Sequence, residues 1–244
     1  MSFDNQYRPS GFGYLPVVTK NIIIINGIMF LATLALGTKG IDLNKYFGLH
    51  YYLSSDFKPH QFITYIFMHG SFTHILFNMF GVYIFGQVLE QVWGPKRYLI
   101  FYIVTGLGAA LMQYVILHFQ ISEVLAKVNE AIASNELSAI EKTDLINRKY
   151  EFLNSDRHVI IGASGSLFGL LGGFGMLFPN RMLYLYFLFP IKAKRFVTFY
   201  GLFEIISGLQ NNPADNVAHF AHIGGLVVGI IMVWVWRRDS NHFY

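Results

Sequence analysis

Gly162-Ala163-Ser164-Gly165-Ser166-Leu167-Phe168-Gly169-Leu170-Leu171-Gly172-Gly173 opens an apolar run that ends before Pro179. Glycines at 165, 169 and 173 form two overlapping small-xxx-small repeats, the pattern that lets helix backbones approach closely in lipid. At a rise of 1.5 Å per residue, the run from 164 to 178 covers roughly 22 Å, short of a hydrocarbon core of about 30 Å. Placed in a bilayer, one of its ends must lie below the surface.

Composition favours the bilayer. The chain of 244 residues is 54% hydrophobic and only 13% charged, against roughly 25% charged in soluble domains. Its 24 Phe and 15 Tyr exceed what one soluble core of this length can hide. The absence of Cys excludes a disulfide framework, a thiol nucleophile and cysteine-ligated metal. A net charge of +4 would point to nucleic acid only if the basic residues clustered on a polar face. They lie between apolar runs instead, and no nucleic acid partner is expected.

Working outward from 164, five more runs approach the length of a span: about 21 to 38, 72 to 91, 97 to 117, 196 to 209 and 218 to 236. The first ends in Ala35-Leu36-Gly37, which resembles a signal cleavage site, but the mixed residues before it, with Arg8, Pro9 and Pro16, favour a retained span. With the N-terminus inside, the inner segments carry ten Lys and Arg and the outer loops three (Lys39, Lys45, Lys58), setting aside the segment 118 to 158 with its seven acids. The expectation is an all-α membrane domain over 21–236, a cytoplasmic segment 1–20 and a cytoplasmic tail 237–244. Within it, about 120 to 157 reads as an amphipathic helical hairpin, with Ile121, Val124, Leu125, Val128 and Ile132 on one face.

Polar groups inside spans cost free energy and need a partner or a task. His74, Asn78 and Gly81 share one face of the second span. On the sixth, Ala218, His222, Gly225 and Gly229 fall within about 60° of one another at 100° per residue, whereas His219 lies off that stripe and is expected to pack or meet water at the boundary. Spans two, four and six run the same way, so His74, Asn78, Ser164 and His222 all lie near one face of the membrane, the external one by the charge count. Close packing of the glycine faces would bring Ser164 and His222 together in a wet, sunken site.

A serine hydroxyl becomes nucleophilic when a neutral imidazole within about 2.6 to 3.2 Å takes its proton. Ser164 and His222 meet that requirement by type, and the Asn78 amide, His74 and the backbone N–H of Ser164 could donate to a developing oxyanion. Glu204 reads as the only acid within a span, halfway or deeper on the fifth, where structural pairing or a protonated acid is the plainer role. The site is accordingly expected to be a dyad.

His74-x-x-x-Asn78, Gly162-Ala163-Ser164-Gly165 and Ala221-His222-Ile223-Gly224-Gly225 with Gly229, in this order on alternating spans, resemble the rhomboid family of intramembrane serine proteases. The resemblance implies a six-transmembrane-helix rhomboid fold that cleaves transmembrane protein substrates with a Ser-His dyad and without cofactor or metal. It implies Ser164 as nucleophile, His222 as base, His74 and Asn78 in the oxyanion hole, and lateral substrate entry past the second and fifth helices among membrane lipids. The expected location is the bacterial inner (plasma) membrane. The loop between the first two spans departs from many relatives: Tyr51, Tyr52, Phe57, Lys58 and His60 stand where a Trp-Arg pair is common.

Three other readings compete. A transporter would carry polar residues through both leaflets. A metal hydrolase using His69, His74, His219 and His222 lacks His-Glu-x-x-His. A proteolytically inactive rhomboid-like protein that binds membrane helices would need neither Ser164 nor His222.

Overall fold

The computed structural model describes residues 15–134, 137–155, 158–185, 189–210 and 217–239. Most of the N-terminal segment 1–20, including Arg8, lies outside the described residues, as do Arg157 in the insert and the last five residues of the tail.

Helix α1 (Val17–Gly37) is followed by two short helices, α2 (Leu43–Phe47) and α3 (Gln61–Thr64), in the first loop. Helix α4 (Phe72–Gly81) passes through a π-helical turn (Val82–Gly86) into α5 (Gln87–Ala133), which breaks at Gly94. There φ is +75° and Pro95 follows, a backbone that glycine adopts freely and a proline suited to the first turn of the next helix. Then come α6 (Ala139–Leu153), α7 (Ser164–Leu177), a two-stranded antiparallel hairpin of β1 (Met182–Leu185) and β2 (Phe189–Lys192), α8 (Ala193–Gln210) and α9 (His219–Asp239). By length and composition α1, the run Phe72–Ala133 and His219–Arg237 are apolar enough to cross a membrane, and α7 is a shorter apolar helix. With the break at Gly94 and with α8, six helical segments make an all-α membrane fold.

Two junctions put both ends of the bundle on one side. Glu90 caps the start of α1: its Oε1 accepts from Val18 N at 2.9 Å and its Oε2 from Thr19 N and Oγ1, both at 2.7 Å. A carboxylate at a helix N-terminus satisfies orphan N–H groups and opposes the positive end of the dipole. Glu90 therefore corrects the reading of Glu204 as the only acid within a span. Seven residues on, the Arg97 guanidinium lies 4.3 Å from the centre of the Trp236 ring near the end of α9.

The glycine stripes fix the centre. A Cβ at Gly225 would fall 1.9 Å from the carbonyl oxygen of Gly165, and one at Gly229 2.5 Å from that of Gly169. Both numbers rise together, so α7 and α9 run parallel. The stripe on α7 points elsewhere than expected: Cβ atoms at Gly165, Gly169 and Gly173 would meet Ala109, Thr105 and Phe101 of α5 in descending order, which makes α5 antiparallel to α7. Helix α9 approaches the α7 backbone, while Gly165, Gly169 and Gly173 of α7 receive α5.

The insert is a pair of helical arms, the first continuous with the third span. Residues 118–133 continue the third span as one unbroken helix, with Ile121 buried, and α6 forms the second arm, opened by a capping box between Ser138 and Glu141. Asn154 at its end ties the insert to the first loop: Oδ1 accepts from Ser54 Oγ at 2.8 Å, Ser55 Oγ at 2.9 Å and Ser55 N at 3.0 Å. The first loop is held around the buried Gln61. Its Oε1 accepts from Lys58 N at 3.0 Å and its Nε2 donates to Asp56 O at 2.9 Å, while the Tyr51 and Tyr52 hydroxyls reach His118 Nδ1 at 3.2 and 3.1 Å. These contacts anchor the loop that lacks the Trp-Arg pair.

Candidate active site

Ser164 is the first residue of α7, and the chain reaches it through a strained approach. Leu49 and Ile160 exchange backbone hydrogen bonds at 2.9 Å, and Gly162 N donates to Tyr65 O at 3.0 Å, so the segment ahead of Ser164 is pinned to the first loop. Gly162 has φ +123°, and a Cβ there would lie 2.7 Å from His74 Nε2 and 3.7 Å from Ser164 Oγ. Only glycine lets the His74 ring come so near the backbone beside Ser164.

Ser164 Oγ lies 2.8 Å from His222 Nε2, within the range for proton transfer. The glycine contacts between α7 and α9 make this distance attainable, because each side chain stands in the first turn of its helix. Phe168, one turn after Ser164, stacks on His222 with ring centres 4.3 Å apart and planes 8° from parallel. The imidazole is thus clamped on one face. Ser166 does not share this role: it is buried and its Oγ donates to Tyr102 O at 2.8 Å.

His74 is half-buried and its ring packs edge-on against His69 at 4.9 Å. Asn78 is buried, and its Nδ2 has no hydrogen-bond partner among the described residues. A buried donor without an acceptor costs roughly 1–3 kcal/mol, a cost understandable where the acceptor exists only during reaction. Ser71 caps α4 by accepting from His74 N at 3.1 Å, and Gly81 receives the Leu167 side chain, so His74 and Asn78 are held on the helix face turned toward α7.

Two residues were placed differently by the sequence. Glu204 lies in the C-terminal half of α8, level with His222, and its Oε2 is 3.0 Å from His222 Nδ1 and 2.6 Å from His219 Nδ1. His219 is buried against that carboxylate rather than packed separately or facing water. The expectation of a bare dyad with no acid nearby is therefore corrected. Periodicity on α9 alone could not reveal this contact, but Gly201, Glu204 and Gly208 at positions i, i+3 and i+7 of α8 were a signal that its close-packing face carries the acid.

Glu204, His219 and His222 offer three ligand atoms within 4.8 Å of one another, a set of the kind that zinc accepts. A metal on His222 Nδ1 would leave the ring proton on Nε2, where it would block acceptance of the Ser164 proton. Metal binding and base catalysis at His222 are thus mutually exclusive.

The model of the Rhomboid domain matches residues 56–239. The chain belongs to the rhomboid family. It is 27% identical over 176 residues to RHOMBOID-like protein 6, mitochondrial, of Arabidopsis thaliana, covering 72% of this chain and 43% of that protein. It is 25% identical over 224 residues to Rhomboid-like protein 11, chloroplastic, from the same plant, covering 89% and 64%. With Rhomboid-like protein 16, chloroplastic, the identity is 24% over 229 residues, covering 93% and 64%. This rhomboid chain spans less than two thirds of the length of each of these relatives.

Proposed function

We propose that this rhomboid chain is an intramembrane serine endopeptidase that cleaves transmembrane-helix substrates. Ser164 is the nucleophile and His222 the general base. The 2.8 Å contact between Ser164 Oγ and His222 Nε2 carries the reading, and family membership supports it.

In the first step the Ser164 O–H bond breaks as its proton passes to His222 Nε2, and Oγ bonds to the scissile carbonyl carbon. The carbonyl electron pair moves onto oxygen, where Asn78 Nδ2, His74 and the N–H of Ser164 at the start of α7 are the donors. His222 then returns the proton to the leaving amine, and water hydrolyses the acyl-enzyme by the same path in reverse order. Every step uses protein groups and water. Exposed apolar side chains on α4 (Phe72, Leu76, Phe77) and α8 (Phe199, Phe203, Ile206) suit these helices to face lipid and an arriving substrate helix. The proposed topology is multi-pass with both termini cytoplasmic and the site toward the outer face.

The test is cleavage of a single-span reporter by the purified chain in proteoliposomes. Cleavage by the wild type that is lost in Ser164→Ala and kept in Ser166→Ala is expected; a folded wild type that binds the reporter intact would favour the non-proteolytic alternative.

A further inference from the structure

We infer that Glu204 is a positioning residue for catalysis, the far member of a hydrogen-bonded chain Glu204–His222–Ser164. The inference rests on the proposed proteolytic reading and deepens it. The two ring nitrogens of His222 face different partners: Nε2 is 2.8 Å from Ser164 Oγ, and Nδ1 is 3.0 Å from Glu204 Oε2. An ionised carboxylate only accepts hydrogen bonds, so the arrangement that satisfies every atom has the proton on Nδ1 and the lone pair of Nε2 directed at the serine. Of the two neutral tautomers, only this one can take the Ser164 proton. When Nε2 receives that proton, the ring becomes a cation within hydrogen-bond distance of Glu204. The Nδ1 proton stays on the ring throughout, and the carboxylate opposes the new charge where water is scarce.

Two further features show that the contact is built. Glu204 is 2% exposed, and its Oε2 is also 2.6 Å from His219 Nδ1, which fixes the carboxylate from a second side. On the same face of α8, Cβ atoms at Gly201 and Gly208 would come within 3.0 Å of Leu226 and 3.1 Å of Phe220. Small residues on either side of Glu204 thus let α8 lie close enough to α9 for the carboxylate to reach the histidine. A buried acid within a span is costly, and a neutral amide would serve purely structural pairing at lower cost.

The experiment is steady-state cleavage of the single-span reporter by wild type, Glu204→Gln and Glu204→Asp in the same proteoliposomes, with thermal unfolding measured in parallel. Glu204→Gln is expected to lower kcat on the order of 10²- to 10⁴-fold, with KM within about threefold and folding preserved, because the amide can present an N–H to Nδ1 and select the wrong tautomer. Glu204→Asp, which keeps the charge but withdraws it by one methylene, should retain more kcat than Glu204→Gln. A kcat within about threefold of wild type in folded Glu204→Gln overturns the inference and leaves the Ser164–His222 reading intact. If Glu204→Gln does not fold, Glu204→Asp decides: kcat lowered by about tenfold or more at unchanged KM supports the role, and wild-type kcat overturns it. A folded wild type that does not cleave removes the proteolytic reading, and the inference with it.

Discussion

Asn78 holds a buried amide nitrogen on the helix face that also carries His74, and His74 Nε2 reaches the backbone of Gly162 beside Ser164. The nitrogen has no partner among the described residues, so truncating it breaks no ground-state bond. Asn78→Ala is expected to lower kcat on the order of a hundredfold to a thousandfold, with stability changed by less than about 1 kcal/mol. Reporter cleavage and thermal unfolding of the same preparation check both halves; equal losses in both would make Asn78 a packing residue.

Gly225 and Ser166 should separate packing from chemistry. A Cβ 1.9 Å from the Gly165 carbonyl cannot be relieved by a rotamer change, so Gly225→Ala must force α7 and α9 apart. A loss of about 3 kcal/mol or more is expected, with cleavage falling alongside it. Ser166→Ala removes only the bond to Tyr102 O, should cost about 1 kcal/mol and should leave cleavage near the wild-type rate.

Phe168 restricts the tilt of the His222 ring by stacking on it. Phe168→Leu keeps most of the volume and loses the flat face. It is expected to lower kcat by roughly tenfold through misaligned Nε2 while costing less than about 1.5 kcal/mol; unchanged kcat would show that Glu204 alone orients the ring.

Asn154 accepts three hydrogen bonds from the first loop. Asn154→Ala should release the end of α6 and raise the rate at which an added protease nicks the insert between residues 134 and 158. Reporter cleavage should stay close to wild type, because among the described residues of the insert none is hydrogen-bonded to or stacked on Ser164 or His222.

The central pair was legible in the sequence because Ser164 and His222 each head a helix with a glycine repeat, and spans of equal direction place their heads on one face. Glu204 was not, since its role depends on the rotation of α8 about its own axis, and that helix has apolar residues all round. His219 joins the contact despite lying about 60° off the glycine stripe, because one carboxylate oxygen can accept from two rings. The role of Glu90 is not legible in the sequence, because its partner, the N-terminus of α1, is about 70 residues away. The hairpin of β1 and β2 carries Pro190 and is only four residue pairs long, too short for a periodic signal.

The most direct measurement is the site of covalent modification. The folded wild-type chain is treated with a fluorophosphonate probe, which reacts with a serine activated by a base, and the adduct is located by mass spectrometry. The adduct is expected on Ser164 alone and is expected to disappear in His222→Ala. An adduct on Ser166, undiminished labelling of Ser164 without His222, or no adduct on the folded protein would contradict the account.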